Sequence, residues 1–330
     1  MKAPLRQLTA AVACGALLST AACSSTDSPA SDDDRFTVVT AFYPLQFVAE
    51  RVAGEDAEVV SLTNPGADAH SVELTPRQVA SLSEADLVIY VKGFSSSIDK
   101  AIEVAQPSNV IDAMTLVEPL QAHDDHEDET PEEHAQHADE EEHAEEGEHA
   151  EGDHDHGAND PHIWLDPTNM VKITQAVADQ LAEQTPEQAE PLKAKATQLT
   201  KELTQLDQSF TQGLASCQRK EIVVSHEAFG YLTHAYGLEQ IGIAGISTED
   251  EPSPSRIAEI QQVAKKHKIT TIFYETQASP AHSKAIAKDL GLKTAVLDPA
   301  TTLTSESKGK DYLEVMRANL SALKTANGCQ

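Results

Sequence analysis

Basic side chains are scarce in this chain. It carries 24 Lys and Arg against 54 Asp and Glu, a net charge of -30 over 330 residues. So few cations cannot neutralise phosphates, which argues against nucleic-acid binding; the acidic balance mildly favours attraction of cations. Long apolar runs are missing too. The apolar run at residues 8–18 is well short of the roughly 20 residues that a spanning helix needs. No His-Glu-x-x-His helix, Gly-x-Ser-x-Gly elbow or phosphate-binding Gly loop occurs, so the usual signatures of zinc peptidases, serine hydrolases and nucleotide enzymes are absent. Cysteines number only 4, and their placement matters more than their count.

Two of them, Cys14 and Cys23, fall at the N-terminus. Lys2 and Arg6 precede the apolar run, and Ser19-Thr20-Ala21-Ala22-Cys23 follows it. This is the order of an export signal with a small-residue cleavage site. A Cys directly after small residues further matches a bacterial lipoprotein signal, in which Cys23 is acylated and becomes the new N-terminus. The simpler alternative is a secretory signal with an incidental Cys. Residues 24–35 are polar and rich in breakers, which suits a flexible tether. Export would place Cys217 and Cys329 where disulfides persist, so they are expected to pair; two reduced thiols are the alternative.

With 40% apolar residues, the remainder is long enough for two domains. Short β-branched runs, each followed by turn residues and a helical pattern, recur at 36–41, 58–62, 86–91 and 109–112. They recur again at 221–225, 240–244, 270–274 and 294–297. Cap-then-Pro pairs predict helix starts at Thr75-Pro76, Asp166-Pro167, Thr185-Pro186, Ser253-Pro254 and Ser279-Pro280. The expected fold is α/β: two parallel-sheet (β/α)4 domains, residues 36–184 and 216–330, with a cleft between them. Leu192, Ala196, Leu199, Leu203, Leu206, Phe210 and Leu214 form one apolar stripe at helical spacing. It predicts a long, stiff helix over 185–215 that joins the domains and limits their opening.

Residues 121–157 hold 17 acidic and no basic residues, so over half of the net charge sits there. His123, His126, His134, His137, His143, His149, His154 and His156 are scattered through it. With almost no large apolar residue the insert, 121–158, is expected to be disordered. Imidazoles among carboxylates suit weak, exchangeable collection of borderline divalent cations; a solvated acidic loop is the bland alternative.

Outside the insert six histidines remain, and three share one placement. His70 follows the second expected strand, His162 the fourth, and His226 the fifth. In parallel α/β sheets ligands bind beyond the carboxyl ends of strands, so three imidazoles from both domains can meet there. Asp298, just past the last strand, is a candidate fourth ligand. A lone loop His is most often an ordinary surface residue; the joint pattern carries the argument. His234, His267 and His282 fall in helical stretches and are read as ordinary.

The motifs Pro65-Gly66-Ala67-Asp68-Ala69-His70, Asp160-Pro161-His162-Ile163-Trp164-Leu165-Asp166-Pro167, Ser225-His226-Glu227-Ala228-Phe229-Gly230, Phe273-Tyr274-Glu275-Thr276-Gln277 and Leu297-Asp298-Pro299 extend the case. Together they make the chain resemble the metal-specific solute-binding lipoproteins of ABC importers, which take zinc or manganese, over nearly the whole mature length. The resemblance implies ligands at His70, His162, His226 and Asp298, two β/α domains on a rigid helix, and an acidic His-rich insert typical of the zinc branch. It departs at Glu275-Thr276-Gln277, where Glu-Pro-Gln is commoner, and lacks the usual Gly after the Leu-Asp-Pro motif. The fourth ligand is therefore open between Asp298, Glu275 and water, with Glu275 alternatively orienting a ligand His from behind.

Three imidazoles and a carboxylate suit tetrahedral Zn2+. In the manganese branch an acidic residue replaces His226, so manganese is the second choice. The implied role is not enzymatic. It is capture of zinc as cargo and delivery to a membrane permease, by a protein lipid-anchored through Cys23 to the outer face of the cytoplasmic membrane. The chain is expected to act as a monomer. The competing readings are a zinc hydrolase, if the fourth position is open to water, and a surface adhesin on the same fold.

Overall fold

The structure, a computed structural model, describes residues 35–122, 159–246, 252–277 and 279–330. The expected signal with Cys23, the tether up to residue 34 and all eight insert histidines lie outside the described residues.

Eight short strands form two parallel sheets. β1 (Phe36–Thr40), β2 (Ala57–Ser61), β3 (Leu87–Tyr90) and β4 (Val110–Asp112) run in the order β2-β1-β3-β4. β5 (Glu221–Val224), β6 (Glu239–Gly242), β7 (Thr271–Tyr274) and β8 (Lys293–Val296) repeat that order as β6-β5-β7-β8. In both sheets the first strand lies inside, paired with the second on one flank and the third on the other. The loops after β2, β5, β7 and β8 therefore emerge at carboxyl edges, where parallel sheets place their crevices.

Helices cover the sheets: α1 (Tyr43–Ala53), α2 (Pro76–Glu84), α3 (Ser96–Ala105) and α4 (Pro167–Gln184) in the first half. α6 (Gly230–Tyr236), α7 (Pro254–Lys266), α8 (Ala281–Leu290) and α9 (Tyr312–Asn327) lie in the second. Thr75, Asp166 and Ser253 accept backbone N–H groups at the starts of α2, α4 and α7, as the cap-then-Pro pairs predict. The other two pairs behave differently. The Thr185 hydroxyl donates back to the carbonyl of Leu181, so Thr185 closes α4, and Pro186 opens a single 3-10 turn. At α8 the capping position is held by Pro280, with no side-chain bond.

The long helix α5 spans Ala189–Leu214, 26 residues, about 39 Å at 1.5 Å per residue. It starts four residues later than expected because of the Thr185 break. All seven stripe residues are buried. They belong to one continuous apolar core that runs from Val38 through Leu203 to Met316 and so includes residues of both halves. A smaller core around Val223, Ile260 and Ile286 backs the other face of the second sheet. At the far end of α5, Cys217 and Cys329 are joined in a disulfide. The helix is also tied to the first half by polar contacts. The Lys195 ammonium donates to the carbonyl of Ala53, at the end of α1, and to Asp56.

Candidate metal centre

Each of the three histidines reaches the crevice from a different loop. His70 follows β2 on a turn in which its own N–H donates to Asp68 Oδ1 at 2.9 Å, and Gly66 N–H is fastened to Thr302 Oγ1 at 2.8 Å. His162 follows a short antiparallel bridge between Gln121 and Asn159. His226 comes two residues after β5. His162 and His226 are buried, and His70 is partly exposed.

One ring nitrogen from each lies within 4.8 Å of the other two. Nε2 of His70 and of His162 stand 3.3 Å apart. Two donors bound tetrahedrally at the usual Zn–N length are separated by about 3.3–3.4 Å, so this spacing fits a shared ion. Nε2 of His226 is buried without a hydrogen-bond partner, a costly arrangement for a polar atom unless something binds it. The opposite ring nitrogens are engaged. Nδ1 of His162 pairs with Asp160 Oδ1 at 2.8 Å, and Nδ1 of His226 with Glu275 Oε1, which also accepts from the Ser225 hydroxyl. His70 hydrogen-bonds the backbone of Phe94. With Nδ1 of His162 and of His226 held, the lone pair of each Nε2 is free to face the common point.

Burial, reinforced by the neighbouring His162 and His226, lowers the pKa of His70 well below the usual imidazole value, keeping it uncharged and ready to ligate. For His226 burial opposes charge, but the charge and hydrogen bond of Glu275 prevail and raise its pKa. A wall of aromatic rings backs the group. Phe94 packs on His70 with centroids 4.2 Å apart, and Trp164 lies 5.3 Å from His162.

Asp298 lies where expected, past β8 and 1% exposed, yet it stands outside the group of three imidazoles. Its Oδ1 accepts from Ala300 N–H, and its Oδ2 from the hydroxyls of Thr276 and Ser307. Burial raises its pKa. Glu275 sits behind His226. Asp160 and Phe94 stand outside the group of three imidazoles and act on it from behind. Asp160 has a local signal in Asp160-Pro161-His162, whereas nothing in sequence links Phe94 to His70.

Two helix-covered parallel sheets, a long connecting helix and three converging imidazoles define a candidate metal-binding protein of the solute-capturing class. The model of the zinc-uptake complex component A family (ZnuA, periplasmic) matches residues 38–326. The chain belongs to that family. It is 32% identical over 301 residues to the zinc-binding lipoprotein AdcA of Streptococcus pneumoniae, covering 88% of this chain and 56% of that one. It thus spans little more than half the length of that relative. Against the high-affinity zinc uptake system protein ZnuA of Bacillus subtilis it is 30% identical over 312 residues, 92% of each. The zinc-bound ZnuA-like domain of Streptococcus pneumoniae AdcA superposes with a TM-score of 0.70, at 30% identity, covering 89% of this chain and 99% of that one. The laminin-binding protein Lmb of Streptococcus agalactiae, described as both adhesin and metal transporter, gives 0.72 at 30% identity, covering 88% and 99%.

Proposed function

We propose that this protein is the extracytoplasmic zinc-binding component of a zinc ABC importer, capturing Zn2+ between its two halves and delivering it to a membrane permease. The observation that carries the reading is the convergence of three ring nitrogens, one of them buried without a partner, while the far nitrogens of His162 and His226 are held from behind. All three donors are imidazoles, which favours zinc over the oxygen-seeking manganese. Residues 36–184 and 216–330 act as the two lobes and 185–215 as their connector. Acylated Cys23 anchors the protein to the outer face of the cytoplasmic membrane. The insert from His123 to His156 gathers cations weakly.

A fourth donor comes from Asp298, once it exchanges its Thr276 and Ser307 bonds for the ion, or from water. Asp298→Ala separates the two: zinc affinity falls if the carboxylate binds and holds if water does.

The deciding experiment is metal analysis of residues 24–330, wild type and His226→Ala, with zinc and manganese in competition. One zinc per wild-type chain and none in the variant is the expected result. Full zinc in His226→Ala, or manganese preferred by the wild type, overturns the proposal.

A further inference from the structure

We propose that Asp160 is a positioning residue for zinc capture, and that Gly230, from the opposite half, keeps open the space its carboxylate occupies. The proposal rests on the reading that the three imidazoles bind zinc.

Asp160 is 3% exposed. Its Oδ1 accepts two hydrogen bonds from the same residue, the backbone N–H of His162 at 2.9 Å and the ring Nδ1 at 2.8 Å. One oxygen thus fixes both the backbone and the ring of the ligand, and it selects the tautomer whose Nε2 carries a lone pair. Asp160 is itself held in place. Its N–H donates to the carbonyl of Leu120 at 2.8 Å, and the N–H of Leu120 donates to the Tyr231 hydroxyl at 3.1 Å. That hydroxyl lies on α6, just beyond His226 in the chain.

Gly230 opens the same helix. Its φ is not positive, so the backbone would accept any residue. The missing side chain is what matters, because a Cβ at that position would stand 2.2 Å from Asp160 Oδ2 and 3.4 Å from its Cγ. The stretch from His226 to Tyr231 therefore brings one ligand, a notch for the carboxylate behind another, and a clamp on Leu120, to which Asp160 is bonded.

Charge explains why a carboxylate is needed there. Three neutral imidazoles give a buried dication no counter-charge, and an uncompensated charge inside a protein is costly. Asp160 and Glu275 supply two negative charges from behind His162 and His226. The charge is offset from behind while three of the direct donors stay nitrogen, which preserves the preference for zinc.

The test compares zinc affinity, by chelator competition, with the melting temperature of the metal-free protein and the absorption of the cobalt(II) form. Asp160→Asn is expected to weaken zinc binding by about 10–100-fold, with one ion still bound and the metal-free melting temperature unchanged. Gly230→Ala, which leaves every imidazole and carboxylate present, weakens binding in the same direction and alters the cobalt spectrum. Adding it to Asp160→Asn costs less than the product of the two effects, because both act on one contact. Wild-type affinity in both single variants overturns the proposal. So does an affinity loss matched by collapse of the metal-free fold in Asp160→Asn. Either outcome leaves the triad standing, whereas full zinc retention in His162→Ala would strike the triad itself.

Discussion

The indole N–H of Trp164 donates to the backbone carbonyl of Pro299 at 2.7 Å, in a fully buried contact that joins the two halves one residue away from Asp298. The carbonyl of Trp164 accepts in turn from the Tyr312 hydroxyl at 2.6 Å. The residue two positions after His162 is therefore stitched twice to the opposite half.

Trp164→Phe keeps most of the packing and strands the Pro299 carbonyl. A loss of about 1–3 kcal/mol is expected from the unsatisfied group, read by urea unfolding of the metal-free protein. An unchanged midpoint would show that the bond contributes nothing net.

Zinc should stabilise the fold by mass action. With free zinc at about 1,000 times the dissociation constant the gain is about 4 kcal/mol. Stripping with a chelator should lower the melting temperature of the wild type, and chelator should have no effect on His226→Ala. Equal responses would place the ion elsewhere.

Cys217 and Cys329 close a loop with a sequence separation of 112. Replacing both with Ala removes a constraint on the unfolded chain worth at most about 4–5 kcal/mol. The melting temperature should fall and stop responding to reductant, while zinc stoichiometry stays at one. The disulfide lies at the end of α5, away from the imidazoles.

Acid should release zinc, and the two outlying imidazoles contribute with opposite sign. His226, with a raised pKa, stabilises the metal-free fold below the ordinary imidazole pKa and loses that contribution as pH rises through its own. His70, with a lowered pKa, contributes above the ordinary value and loses its share as pH falls through its folded pKa. Zinc must displace the Nε2 proton of the His226 imidazolium, which Glu275 favours, while Nδ1 stays bonded to that carboxylate. Calorimetry in buffers of different ionisation enthalpy should detect proton release near neutral pH, reduced in Glu275→Gln. Binding without proton release would contradict the assignment.

Deleting residues 124–157 should leave one tightly bound zinc per chain and remove only weak additional binding, seen by titration beyond the first equivalent. Loss of the tight site would move the assignment to the insert.

Much of this architecture is legible in the residue pattern. β-branched runs bounded by turn residues place every strand to within two residues of its observed ends, most plainly in β3, β5 and β7, where burial on both faces selects apolar side chains. The stripe from Leu192 to Leu214 is read correctly for the same reason, that helical spacing and burial coincide. The start of α5 is misjudged because Thr185-Pro186 has the composition of a cap, while the local backbone lets Thr185 bond backward to Leu181. The three histidines are visible through their position after strands. Their supports are less so: Glu275 is 49 residues from His226, and only the pairing of β5 with β7 brings them together. Asp298 shows the limit most clearly, since position after a strand does not say which way a carboxylate turns.

The helix from Ala189 to Leu214 buries one face along its whole length in a core shared by both sheets. A rod held this way cannot act as a swinging door without exposing the entire seam to water. Loading and unloading must then depend on short-range changes around the site, where His70 is the one of the three converging imidazoles that is partly exposed.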